Sequence, residues 1–316
     1  MRATPVAVIG VGYLGRYHAQ KYAAIENANL IGVCDLNETA GRAVADELGC
    51  DYFGDHRALA KQVDAVSIAA TTTAHFELAR YFLKHGVHVL VEKPMTVTSA
   101  EAAKLTALAE TSKLKLQVGH IERFNPALLS AREGLDNPTF IECHRLAPFN
   151  VRGADVDVVL DLMIHDLDVI LSLVDSPPEH VSAVGIAALT DKVDVANARI
   201  EFANGAIANV TASRASTKAE RKFRVWQDQH YVSIDFGRGI VQKITSRGDW
   251  QDGESALNEE SWNLEKGDAL AAEIEAFLDA VRNDTDCIVS GRDGQAALEL
   301  AELILADIEA RRSKGS

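Results

Sequence analysis

The 316 residues, 47% apolar and 25% charged, suit about two soluble globular domains and exclude a disordered tail, a collagen or a small disulfide scaffold. Forty-six acids against 32 bases leave a formal charge of −14, so the surface repels nucleic acid and acidic lipid and favours a small-molecule partner. Four scattered cysteines, Cys34, Cys50, Cys143 and Cys287, form no CxxC pair, which suits a reducing compartment and argues against structural zinc.

Met1-Arg-Ala-Thr-Pro leads into a strand pattern at Val6 with no secretory n-region and h-region. No apolar run approaches the ~18 residues of a membrane span. The expectation is a cytoplasmic protein. The first 120 residues then alternate β-branched runs at 6–9, 30–33, 65–68, 87–91 and 114–118 with helix-length segments at 14–24, 39–48, 74–85 and 99–112. Such alternation implies βαβ crossovers and a parallel sheet covered on both faces. Ser99, followed by Ala-Glu-Ala, is the predicted N-cap of the fourth helix.

From Phe140 the pattern changes. Strand-like segments at 139–146, 180–188, 195–202, 206–213, 222–226 and 231–235 follow at short intervals, and Asn204-Gly205 is a hairpin signal. One helix, 158–174, is inserted early, and two more, 267–282 and 293–312, close the chain. The expected fold is α/β in its first domain, 1–121, a doubly wound parallel sheet. The second, 122–316, is expected to be α+β with an open, largely antiparallel sheet.

Gly10-Val-Gly12-Tyr13-Leu14-Gly15 follows the first strand and opens a helix, the context in which GxGxxG carries weight. Gly10 permits the turn, Gly12 lets backbone approach a pyrophosphate, and Gly15 lets helix pack on strand. Asp35 ends the second strand 20 residues after Gly15, where an acid binds ribose hydroxyls. Its charge repels a 2′-phosphate and no base follows in Leu36-Asn37-Glu38, so NAD is expected rather than NADP. The first domain is therefore a Rossmann domain.

Val89-Leu-Val-Glu92-Lys93-Pro94 ends the 87–91 run. Together with the glycine turn, Thr71-Thr-Thr-Ala-His75, Val118-Gly-His120-Ile-Glu-Arg123-Phe-Asn125-Pro126 and Asp161-Leu-Met-Ile-His165-Asp166, it resembles the glucose–fructose oxidoreductase / inositol dehydrogenase / MocA-like (Gfo/Idh/MocA) family over nearly the whole chain. Many relatives carry proline where Thr72 stands here. The resemblance implies an NAD-dependent dehydrogenase acting on a CH–OH group. It implies cofactor contacts from Tyr13, Leu14, Thr71, His75 and Glu92 besides Gly10, Gly12, Gly15 and Asp35.

Lys93 sits at the carboxyl end of a parallel strand, where open α/β sheets place ligands, and an ammonium there can stabilise a developing alkoxide. In helix 158–174, Asp161, His165, Asp168 and Ser172 fall at i, i+4, i+7 and i+11, one polar stripe on an apolar helix. His165 has the chemistry to take a hydroxyl proton near neutral pH, with Asp161 to orient its ring. Lys93, His165 and Asp161 are thus the catalytic set. His75 and His120 have no companions at metal-ligand spacing, so no metal is expected.

The stretch 214–224 holds Arg214, Lys218, Arg221, Lys222 and Arg224 against one acid, either a phosphate clamp or a solvated hairpin. The 119–126 stretch resembles the nucleotide-sugar branch of the family, which includes UDP-N-acetylglucosamine 3-dehydrogenases. It implies His120, Arg123 and Asn125 as substrate contacts, with Arg214 from the basic stretch. The expected reaction is oxidation of a UDP-N-acetylhexosamine at C3 to a ketone. The alternatives are a dehydrogenase of a free sugar or inositol, and a non-catalytic dinucleotide-binding regulator. The open sheet needs its exposed face covered, so a homodimer or homotetramer is expected, with no nucleic acid or membrane partner.

Overall fold

A computed structural model describes residues 3–151, 153–265 and 267–314. It begins with β1 (Thr4–Ile9), α1 (Tyr13–Ala24), β2 (Ala28–Cys34), α2 (Glu38–Leu48), β3 (Asp51–Phe53), β4 (Ala65–Ile68), α3 (Thr72–Lys84), β5 (His88–Glu92), α4 (Ser99–Ser112) and β6 (Leu116–Gly119). The strands lie in the order β3-β2-β1-β4-β5-β6, all parallel. The winding reverses between β1 and β4, so the turn after β1 lies at the switch point where open sheets bind ligands. β4 is buried at every residue, which is why it reads as a continuous apolar run.

Two details depart from the sequence reading. Thr98, not Ser99, caps α4: its Oγ1 accepts from Glu101 N at 3.3 Å in the extended conformation a cap requires. β3 is an unexpected edge strand, too short at three residues to show alternation.

The rest comprises α5 (Pro126–Ala131), β7 (Phe140–Leu146), a π turn (Val159–Met163) running into α6 (Ile164–Leu173), β8 (Pro178–Ile186), β9 (Val195–Phe202), β10 (Ile207–Ser213), β11 (Glu220–Gln227), β12 (His230–Asp235), β13 (Ile240–Ser246), β14 (Leu257–Asn263), α7 (Ala269–Asn283) and α8 (Gly291–Lys314). The eight strands are ordered β14-β13-β12-β11-β7-β10-β9-β8. β7 and β10 run parallel and the other neighbours antiparallel. β13 and β14 extend the sheet beyond the strands read from sequence. β14, Leu-Asn-Glu-Glu-Ser-Trp-Asn, has no β-branched residue and mostly faces solvent.

The chain forms two compact units, 1–121 with 268–296 and 122–267 with 297–316. This differs from a single cut after residue 121, because α7 and the start of α8 return to the first unit. Leu270, Ile274, Phe277 and Leu278 of α7 join Val6, Val8, Tyr22 and Leu90 in one core. Helical periodicity shows that α7 has an apolar face but not which core receives it.

In the second unit one sheet face, with Ile141, Cys143, Ala198, Val210, Phe223 and Val225, is buried with Val159, Met163, Leu167 and Ile170. The opposite face carries a half-buried aromatic row, Phe140, Trp226 and Tyr231, with ring centroids 5.2 and 5.0 Å apart. All four cysteines are free thiols. Among the described residues no helix is long and apolar enough to cross a membrane.

Candidate active site

The glycine turn is built for close approach. Gly10 has φ +83°, and a Cβ on it would lie 2.7 Å from the Ala70 backbone. One on Gly15 would meet the Gly10 carbonyl at 1.8 Å, so helix and turn touch only because Gly15 has no side chain. Gly12 instead has nothing within 4 Å of a built Cβ, leaving space beside the first turn of α1. It caps that helix without a side chain, and Tyr13 and Leu14 are exposed on the same turn. A pyrophosphate fits this helix N-terminus on charge and on space.

Asp35 follows β2 with its carboxylate fixed by two backbone donors, Val11 N–H to Oδ2 at 2.7 Å and Asn37 N–H to Oδ1 at 2.8 Å. A carboxylate has further lone pairs, so those bonds orient it without exhausting it for ribose hydroxyls. Arg42 on α2 is held by Glu38 at 2.8 Å and lies over the Tyr52 ring.

Lys93 follows β5 and is half-buried. Around it lie two residues expected as cofactor contacts, both buried. Glu92 is buried, and its Oε1 accepts from or shares a proton with His18 Nε2 at 2.8 Å. His75 is buried beneath the turn, with Nδ1 3.0 Å from the Pro94 carbonyl and Nε2 3.0 Å from the Ala70 carbonyl. Burial pushes its pKa below the usual histidine value, outweighing the two carbonyls and Glu92. Both side chains brace the Lys93–Pro94 turn from below. Thr71, at the start of α3, is exposed, and His120, just past β6, is fully buried.

In the second unit Asp161 lies inside the π turn and His165 just after it, both half-buried. π turns recur at functional sites because they displace side chains from the α register. The Gly153 backbone, at φ +84°, lies against Asp161, where a Cβ would meet Oδ2 at 2.8 Å. The four-residue stripe does not persist as one wet face. Asp168 is buried and paired with Arg123 at 3.4 Å, and Ser172 donates to the Val169 carbonyl.

A buried network explains this. Arg145 of β7 forks onto Asp166 at 2.9 and 2.8 Å and reaches Glu122 at 2.8 Å. Burial alone would weaken the guanidinium's hold on its proton, but the two acids reverse that. Burial pushes the Asp166 carboxyl up despite Arg145. Asn125 caps α5 by accepting from Ala127 N at 3.0 Å and donates to Glu122 at 3.0 Å. Of the two expected substrate contacts, Arg123 ties the 122–126 segment to Asp168 of α6, while Asn125 bonds within its own segment and to the first turn of α5. Sequence reasoning missed Arg145, Glu122 and Asp166 as a set because each looks like a surface charge until distant partners are known.

The five bases of 214–224 do not converge. Arg214 is 3% exposed, ion-paired with Asp194 at 3.5 Å and donating to the carbonyls of Gly153, Val156 and Val193. The pleat of β11 then separates the others. Arg221 stands opposite Arg145, on the face that carries α6, whereas Lys222 and Arg224 stand opposite His144 and Glu142 on the other. There Lys222 pairs with Asp235 at 3.1 Å and Arg224 with Glu142 at 3.0 Å. Arg221 is exposed, 3.8 Å from Glu122, and Lys218 is exposed in the β10–β11 loop.

Residues 4–120 match the oxidoreductase family with an NAD-binding Rossmann fold, and 144–233 match the GFO/IDH/MocA C-terminal domain. The chain belongs to the Gfo/Idh/MocA oxidoreductase family. It is 43% identical over 305 residues, 96% of each chain, to a UDP-N-acetylglucosamine 3-dehydrogenase of Acidithiobacillus ferrooxidans. The structure of an enzyme of that name and organism superposes with a TM-score of 0.93 at 42% identity, covering 98% of this chain and 99% of that one. An inositol 2-dehydrogenase of Rhizobium meliloti is 26% identical over 96% of this chain and 97% of its own. A scyllo-inositol dehydrogenase of Lactobacillus casei, solved with NAD(H) and scyllo-inositol, shares the fold with a TM-score of 0.83 at 19% identity, covering 98% of both chains.

Proposed function

We propose that this Gfo/Idh/MocA oxidoreductase is an NAD-dependent dehydrogenase that oxidises the C3 hydroxyl of a UDP-N-acetylhexosamine, UDP-N-acetylglucosamine first, to the ketone. The observation that carries the reading is the full-length similarity to the Acidithiobacillus ferrooxidans enzyme of that name. In this reading His165 takes the hydroxyl proton on an imidazole nitrogen and Asp161 orients the ring. Lys93 hydrogen-bonds the same oxygen and stabilises the negative charge that develops there. When bound, the nicotinamide supplies the acceptor for the hydrogen and electron pair leaving carbon. The glycine turn and Asp35 hold the dinucleotide, and the Asp35 charge disfavours a 2′-phosphate.

Of the five bases, Arg221 best suits a diphosphate, being exposed on the sheet face that carries α6. The half-buried aromatic row on the opposite face favours a homodimer or homotetramer that covers it. Free thiols and an acidic surface fit the cytoplasm. The test is turnover with NAD on a panel of UDP-sugars, free sugars and inositols, read as reduced-nicotinamide absorbance. UDP-N-acetylglucosamine should be oxidised, and Lys93→Met should abolish most of that rate with NAD affinity kept. Oxidation of an inositol alone would overturn the substrate and favour the reading that the Rhizobium meliloti relative suggests.

A further inference from the structure

Beneath the Lys93 turn lies a buried polar cluster drawn from several elements of the first unit. His18 of α1, Ser67 of β4, Tyr22 of α1 and Glu273 of α7 are fully buried, and Glu92 is 7% exposed. His18 Nε2 lies 2.8 Å from Glu92 Oε1, His18 Nδ1 3.3 Å from Ser67 Oγ, and Ser67 Oγ 2.8 Å from Tyr22 OH. One assignment uses every hydrogen in that chain. Tyr22 donates to Ser67, Ser67 to His18, and His18 to an ionised Glu92. Burial pushes the Tyr22 phenol up, which keeps it a donor.

The other side of the Glu92 carboxylate is shaped by Gly119 of the neighbouring β6. A Cβ there would stand 2.8–2.9 Å from its carboxyl atoms, so only glycine leaves the group its place. The remaining oxygen, Oε2, accepts the Lys93 backbone N–H at 3.3 Å. The charged and titratable groups facing Glu92 are therefore His18, Lys93 and His75, with Glu273 presenting a second carboxyl atom within 4.8 Å of the His18–Glu92 pair. Burial pushes the Glu92 carboxyl up, but the His18 bond and the nearby bases outweigh it, leaving it below its usual value. Both ring nitrogens of His18 are engaged by protein, which points to proton ordering rather than cation binding.

We propose that Glu92 is a positioning residue for Lys93: its buried carboxylate, clamped between His18 and Gly119, fixes the start of the Lys93–Pro94 turn and supplies the counter-charge of the lysine ammonium. This rests on the reading that Lys93 stabilises the alkoxide, because only a charged, fixed ammonium can do so. Removing an opposite charge beside a lysine ammonium lowers the lysine pKa, by about one unit or more when the carboxylate is buried within ~4–6 Å, so the pKa of Lys93 reports whether Glu92 acts as its counter-charge.

The test titrates Lys93 itself in the full-length protein, by pH-dependent labelling with an amine-directed reagent and mass spectrometry of its peptide. Glu92→Gln, which keeps the shape and loses the charge, should lower the labelling midpoint by about one pH unit or more. Gly119→Ala, which displaces the carboxylate, and His18→Gln should lower it by less. Should one variant fail to fold, the others carry the measurement, and circular dichroism shows which are folded. An unchanged midpoint in the folded variants overturns the proposal. A lowered midpoint with a matching acid-ward shift of the kcat profile on UDP-N-acetylglucosamine supports it. A lowered midpoint without any change in kcat also supports the Glu92–Lys93 coupling, and places the failure in the alkoxide reading of Lys93.

Discussion

The Asp35 carboxylate orders the Val11 and Asn37 amides, and in the proposed function it also takes the ribose hydroxyls. Asp35→Asn keeps an acceptor for one amide but removes the charge. A hydrogen bond to a charged group contributes about 1.5–3 kcal/mol, so NAD should bind roughly ten- to a hundredfold more weakly. NADP should lose less or gain, because the repulsion goes too. Calorimetric titration of both dinucleotides checks this, and an unchanged preference for NAD would remove Asp35 from cofactor choice. Arg221 invites a comparison within one strand. Arg221→Gln should raise KM for UDP-N-acetylglucosamine several-fold, and the rise should shrink with added salt. Lys222→Gln and Arg224→Gln, on the opposite face and held by Asp235 and Glu142, should leave KM unchanged. Equal effects from all three would mean that the pleat does not decide which base meets the phosphates.

Elements explain which parts of the site could be read from the sequence. The glycine turn was legible because strand, turn and helix lie within a few residues of one another, Asp35 because it ends the next strand at a set spacing, and the Glu-Lys-Pro triplet through the family resemblance. The Arg145–Glu122–Asp166 network was not, because β7, the 122–126 segment and α6 meet only in the folded unit. Nor was the π turn, since an α period was assumed through Asp161. The buried setting of Arg214 was hidden for a similar reason: its partner Asp194 lies before β9 and organises the 188–190 turn through the amides of Ala188, Leu189 and Thr190. Burial pushes the Asp194 carboxyl up, but those amides and the Thr190 hydroxyl more than compensate, so it sits below its usual value. A depressed folded pKa contributes stability above the unfolded value, near ~4, and loses it as pH falls through the folded value. Urea unfolding should therefore show wild-type stability falling from about pH 5 downwards. Asp194→Asn should be less stable by about 2–3 kcal/mol at neutral pH, with a flatter acid dependence. The same acid slope in both proteins would assign that loss to other carboxylates.

At the scale of the whole molecule, chain order and spatial division part company. A sheet of βαβ repeats and a sheet of hairpins were both visible as changes of period, yet α7 closes the first unit's core from 150 residues downstream. The second unit leaves one sheet face half open, with Phe140, Trp226 and Tyr231 in a row. Light scattering at micromolar concentration should find a dimer or tetramer, and Trp226→Glu should shift it toward monomer; a wild-type monomer would contradict that reading. The identity of the oxidised carbon is the most direct test of the proposed function. UDP-N-acetylglucosamine carrying deuterium at C3 should be turned over with NAD, and the deuterium should appear in the reduced nicotinamide. Turnover that leaves the label on the sugar, or none on this substrate while a free inositol is oxidised, would contradict it.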